Sequence, residues 1–164
     1  LKYRDPQERD DLVAELARQA GLAHRPELMM TEEEVASLDR DDLFVVGAHT
    51  HRHPILASVS DAEAELEIGS GKERLEKILG RRVPLFAYPN GRPGDDYRAS
   101  HVEMVKRAGF EISVTTSPGG VNLHSSPLQW PRQNIWRREP WKAALSLIRG
   151  SRDVGKTVTT QHGT

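Results

Sequence analysis

The sequence contains no cysteine. That excludes a disulfide framework and any thiolate metal site, so a metal here must be held by imidazole and carboxylate. It leaves the compartment undecided. Charge of one sign is also lacking: the formal net charge is −1 and the isoelectric point lies near 6.7. Bulk electrostatics therefore give no support for a nucleic-acid or membrane-surface role. No run approaches the eighteen or so apolar residues of a membrane span, and no stretch reads as a signal peptide. Internal repeats and low-complexity tracts are absent. What remains is 164 residues with 37% hydrophobic content and 13 glycines, an ordinary composition for one globular domain.

Within this plain background the histidines are unevenly placed. Of seven, three fall within Ala48-His49-Thr50-His51-Arg52-His53-Pro54, directly after the apolar run Leu43–Val46 and Gly47. The run reads as a short buried strand ending in a turn. Imidazole suits zinc and other transition metals. On a straight strand His49 and His53 would sit about 13 Å apart, whereas two ligands of one zinc must each come within about 2.1 Å of it. Residues four apart in a helical turn are neighbours. The chain must therefore leave the strand near Gly47 and curl once before Pro54, which itself keeps His53 out of the α region. His51 would point elsewhere. The alternative is a set of solvated surface histidines, and spacing alone leaves the two readings level. For His24, His101, His124 and His162 a solvated or structurally bonded ring is the expectation.

The elements around this stretch alternate. Residues 1–9 read as loose, and Asp10 to Ala20 as a helix stopped by Gly21. Thr31 and Glu34 form a capping box for a short helix with Val35 and Leu38 inward. Ser60 and Glu63 open a longer helix that buries Ala64, Ile68, Leu75, Ile78 and Leu79 and stops at Gly80. Gly69 and Gly71 inside it each cost about 1 kcal/mol relative to Ala, so a kink or a closely packed neighbour is expected there. Val83–Tyr88 and Glu111–Thr116 read as strands separated by a helix over 96–108. Gln129–Ile135 reads as a last short strand, and Pro140–Ile148 as a helix with Ala144, Leu145 and Ile148 on one face. The alternation predicts an α/β chain with parallel strands, whose ligands meet the C-terminal strand ends. The histidine bend and Tyr88-Pro89-Asn90-Gly91 would then share one rim. The domain is expected over 1–150, with 151–164 a disordered tail.

His49-Thr50-His51-Arg52-His53-Pro54 resembles the His-Thr/Ser-x-x-His-Pro motif of the polysaccharide deacetylases (NodB-like domains, carbohydrate esterase family four). Phe86-Ala87-Tyr88-Pro89-Asn90-Gly91 resembles the Phe-Ala-Tyr-Pro-x-Gly loop of one branch of that family. Leu75–Arg81, Ala108-Gly109-Phe110 with Ser113–Thr116, and Trp130-Pro131-Arg132 extend the resemblance over roughly residues 28 to 135. It implies a distorted (β/α) barrel, incomplete in this chain. It also implies metal-dependent removal of N-acetyl groups from an amino-sugar polysaccharide, in a bacterial cytoplasm or cell envelope. His49 and His53 would be two ligands of a zinc or similar divalent ion, with an Asp as third. The backbone N–H of Asn90 would stabilise the oxyanion, and Tyr88, Pro89, Asn90 and Arg132 would meet the substrate.

The resemblance is incomplete. The family's Thr-Phe-Asp-Asp motif, source of the base and the third ligand, appears nowhere in the chain, and neither does its late Leu-His motif. Ala87 stands where many relatives carry an Arg. The chain begins at Leu1 without Met, and the expectation is a C-terminal portion of a longer deacetylase rather than a degenerate relative. Lacking its first strands, such a barrel would leave a sheet edge open to self-association. The alternative function is a non-catalytic metal- or glycan-binding module.

Overall fold

The computed structural model describes residues 4–22, 29–133, 139–150, 155 and 157–159. Among these residues five α-helices and two short strands follow in the order α1 Pro6–Gln19, α2 Glu32–Asp39, α3 Asp61–Leu79, β1 Leu85–Ala87, α4 Ala99–Arg107, β2 Ile112–Val114 and α5 Pro140–Gly150, with 3-10 turns at Leu56–Ser58 and Pro127–Gln129. The strands pair in parallel, Leu85 with Ile112, Phe86 with Ser113 and Ala87 with Val114. Parallel bridges extend the pairing outward on both sides, from Ala48 to Phe86 and from Val114 to Trp130. Spatial order thus equals chain order: Ala48, β1, β2, Trp130. The steps from Ala48 to β1 and from β1 to β2 cross over through α3 and α4, as parallel strands require, whereas the step from β2 to Trp130 runs through a loop and the 3-10 turn at Pro127–Gln129.

Local chemistry accounts for most helix ends. Thr31 Oγ1 accepts from the Glu34 N–H while the Glu34 carboxylate accepts from the Thr31 N–H, so the expected capping box is complete. Ser60 caps α3 through the Glu63 N–H alone. Gly80 ends α3 at φ 66°, the left-handed conformation that glycine adopts without a Cβ penalty. The first helix begins at Pro6, earlier than expected, because Asp5 accepts from the Gln7 and Glu8 N–H groups and proline is pre-set for the first helical position.

The core lies between β1 and the helices α3 and α4. Phe86 is buried there in one cluster with Ala64, Ile68, Val102, Val105 and Phe110, its ring 5.0 Å from that of Phe110. The opposite face of the two strands, Leu85, Ala87, Ile112 and Val114, is only half-buried.

Two expectations fail. The run Leu43–Val46 is not a buried strand: Leu43 is 86% and Val45 68% exposed, and pairing with β1 begins only at Ala48. A polar contact holds this segment instead, the Val46 N–H donating to Asp39, whose carboxylate also takes an ion pair from Arg81. Helix α5 forms over Pro140–Gly150 as its periodicity predicts, with Leu145 and Ile148 exposed. In place of a strand over Gln129–Ile135 there is a single bridge at Trp130, and residues 134–135 lie outside the described ones. Of the tail, residues 151–154, 156 and 160–164 also lie outside, but Val158 is docked on the core.

His101 is a structural histidine. Wholly buried at the third position of α4, it accepts from the Arg98 N–H through Nδ1. Its Nε2 lies 3.6 Å from Asp61, beyond hydrogen-bonding reach. Burial pushes its pKa down, against a smaller opposing pull from Asp61. The unfolded state therefore takes up the proton first as pH falls. The neutral ring's contribution is intact above about pH 6.5 and declines below it, by up to about 1.4 kcal/mol per pH unit until the folded pKa is reached. His101→Gln, which keeps an acceptor for the Arg98 N–H and cannot titrate, should lose less thermal stability than the parent between pH 7 and pH 5. Equal losses in a thermal melt would show that His101 is not a source of the acid sensitivity.

Candidate metal and oxyanion site

Three loops leave the same end of the parallel strands: residues 49–53 after Ala48, 88–91 after β1, and 131–132 after Trp130. The first is a bend rather than the helical turn that spacing suggested. Thr50 (φ 62°) and His53 (φ 58°) both occupy the left-handed region, an uncommon state for any non-glycine residue and more so for β-branched Thr50. Thr50 also braces the bend. Its hydroxyl donates to the His49 carbonyl at 2.6 Å and accepts from the His53 N–H at 3.1 Å. The result turns two rings four residues apart onto one another, with centroids 4.6 Å apart and planes at 75°.

His49 has a defined tautomer. Its Nδ1 lies 2.7 Å from the Ala87 carbonyl. A carbonyl only accepts, so Nδ1 carries the hydrogen and Nε2 keeps its lone pair, the orientation that a hydrogen bond behind a metal-binding imidazole imposes. Solvent reaches the ring, yet the surrounding protein still lowers its pKa. Desolvation is the main cause, opposed by the Ala87 carbonyl and reinforced by His53 and Arg132. The neutral, ligating form is thereby favoured. His51 and Arg52 turn outward, and the Arg52 guanidinium pairs with Asp10 of α1 at 2.5 Å.

What fixes the bend to the scaffold is α3. The buried carboxylate of Glu67 accepts from the His51 N–H at 3.0 Å and the Arg52 N–H at 2.7 Å. One turn on, Gly71 allows the helix to approach so closely that a Cβ there would lie 2.6 Å from the Thr50 carbonyl carbon. Sequence reading missed Glu67. The available signal was a carboxylate on the inward stripe of α3, four residues before Gly71 and three after Ala64.

The second loop is built from below. Tyr88 and Pro89, expected to meet substrate, are both wholly buried, and Tyr88 donates to the Leu128 carbonyl at 3.0 Å. Their part is to support the turn; only Asn90 reaches the surface. Asn90 lies at φ 55°, Gly91 at φ 73°, and the Gly91 N–H donates back to the Pro89 carbonyl at 2.6 Å. Thr116 clamps the far side, its hydroxyl donating to the Asn90 carbonyl and its N–H to the Gly91 carbonyl. The Asn90 N–H itself finds no acceptor among the described residues. Arg132 donates through Nε to the Thr115 carbonyl at 2.6 Å, and its charge is felt at His49. No group of three His, Cys, Asp or Glu side chains suited to a metal occurs among the described residues.

The polysaccharide deacetylase family model matches residues 11–113. No curated protein matches the chain. Among solved structures, the PplD deacetylase of Streptococcus pyogenes in complex with acetate is similar, at 23% identity and a TM-score of 0.61 over 74% of this chain and 50% of that one. A polysaccharide deacetylase from Bacillus cereus gives 26% and 0.61 over 72% and 36%. IcaB from Ammonifex degensii, at 20% and 0.56 over 75% and 54%, adds likeness of fold. The chain thus spans about half or less of the length of these structures.

The two helical glycines test the docking of α3. Gly69 has open space around it, so Gly69→Ala should stabilise the fold by up to about 1 kcal/mol, the helix-propensity gain. Gly71→Ala should destabilise it, because the new methyl must displace the backbone of the histidine bend. Chemical denaturation compares them directly. A gain at both positions would mean that the bend does not rest on the helix.

Proposed function

This chain belongs to the polysaccharide deacetylase family, and on that premise we propose that it forms part of a metal-dependent hydrolase that removes N-acetyl groups from an amino-sugar polysaccharide. The observation that carries the reading is the histidine pair: adjacent rings, with the Nε2 lone pair of His49 left free by the Ala87 carbonyl. The residues fit a zinc or similar divalent ion as two of its ligands. A third side chain from outside the described residues would complete the usual catalytic set of three. Such an ion activates water and polarises a carbonyl.

The chain's own groups supply the rest. In this reading the Asn90 N–H points at the oxyanion of the attacked acetamide, held there by Thr116 and the left-handed turn. The Arg132 guanidinium keeps positive charge on the same rim, suited to the polymer's oxygen atoms. Acetate, the product of such a reaction, is what the PplD structure contains. We further propose that Ala48, β1, β2 and Trp130 are a sector of a (β/α) barrel, with residues 1–150 as one domain. Its open edge would run along the exposed Leu43 and Val45, where strand pairing or self-association is expected. A second reading, a metal- or glycan-binding module without catalysis, is favoured by the lack of a third metal ligand among the described residues.

Titration calorimetry with zinc, paired with acetate release from an N-acetylglucosamine polymer, separates the two. Zinc binding should weaken by more than about tenfold in His49→Ala and in His53→Ala. Acetate release that depends on zinc supports the hydrolase, and zinc binding without release supports the module. Full zinc affinity in His49→Ala would remove the assigned role of the pair.

A further inference from the structure

The C-terminal segment contributes a contact that the site does not use. Val158 is held by one side chain at both of its backbone polar groups: its N–H donates to Gln129 Oε1 at 2.9 Å, and its carbonyl accepts from Gln129 Nε2 at 2.9 Å. This is how a neighbouring strand would grip one residue of an extended segment. The Val158 side chain packs against the main core. The segment also walls a cleft of about 440 Å³ between α4 and the 124–131 loop. Gln129 is buried with the segment in place, so losing the segment removes two hydrogen bonds from its amide and leaves Oε1 with the Tyr97 hydroxyl.

From Gln129 the contacts continue inward. The Tyr97 hydroxyl donates to the same Oε1 at 3.1 Å. The Tyr97 ring stacks on Tyr88 at 3.9 Å and 11°, and the Tyr88 hydroxyl donates to Leu128, the residue before Gln129. Burial drives both phenol pKa values up, so both stay donors across the physiological range. Tyr88 is followed directly by Pro89 and Asn90.

We propose that the segment around Val158 is a strap, clasped by Gln129, and that the clasp positions the Asn90 turn through the stacked Tyr97 and Tyr88. Gln129 is then a positioning residue. The catalytic meaning of the coupling rests on the deacetylase reading, but the coupling itself is read by amide exchange whether or not Asn90 serves a hydrolase. Hydrogen exchange is measured on the full chain, on a deletion of residues 155–164, and on Gln129→Leu. Both variants should exchange the Tyr88, Gly91 and Thr116 amides about tenfold faster, which one or two lost buried hydrogen bonds would produce. A synthetic peptide of residues 155–160 should restore protection to the deletion variant but not to the deletion combined with Gln129→Leu. Unchanged exchange at these amides after deletion overturns the proposal, and should Gln129→Leu fail to fold, the deletion and its peptide rescue decide alone. A Val158 amide still protected in Gln129→Leu overturns the clasp.

Discussion

The two amides of the histidine bend that Glu67 binds are the constraint on which the rest of the site depends. Thr50 and His53 sit in backbone conformations that short peptides seldom adopt, and states of that kind persist only where surrounding structure over-determines them. Glu67 supplies a buried acceptor for two successive N–H groups, Thr50 cross-links the bend internally, and Gly71 removes the side chain that would keep α3 away. Each acts on the backbone and uses neither the His49 nor the His53 ring. A loop held only by its own side chains would lack that rigidity.

Convergence at one rim follows from the topology. The strands are parallel and consecutive, so loops at their C-terminal ends meet on one side, where such sheets bind ligands. The Ala87 carbonyl bonds the ring of His49 while β1 delivers the Asn90 turn three residues later. One strand therefore both orients the His49 imidazole and carries the Asn90 turn.

Much of this was legible in the residues. Capping at Thr31, the stop at Gly80, the glycine approach inside α3 and the closeness of His49 to His53 are local or short-range consequences of sequence. The failures share a different cause. Leu43 and Val45 belong to an apolar run that the fold leaves exposed, and a local pattern cannot say whether a neighbouring strand covers it. Glu67 and Gln129 escaped notice because each is a polar residue buried by a contact distant in sequence, to the bend at 51–52 and to Val158. Tyr88 sits within a family motif, yet the motif does not reveal that its ring faces the core.

The metal-site assignment turns on which nitrogen of His49 carries the proton and on whether His53 shares its ligand. Long-range nitrogen–proton correlation NMR of the histidine rings, before and after zinc, addresses both. The account predicts an Nδ1–H tautomer for His49 in the free chain and ring-nitrogen shifts on zinc addition at His49 and His53 together, with the buried ring of His101 unmoved. An Nε2–H tautomer for His49, or zinc shifts that reach only one of the pair, would contradict it.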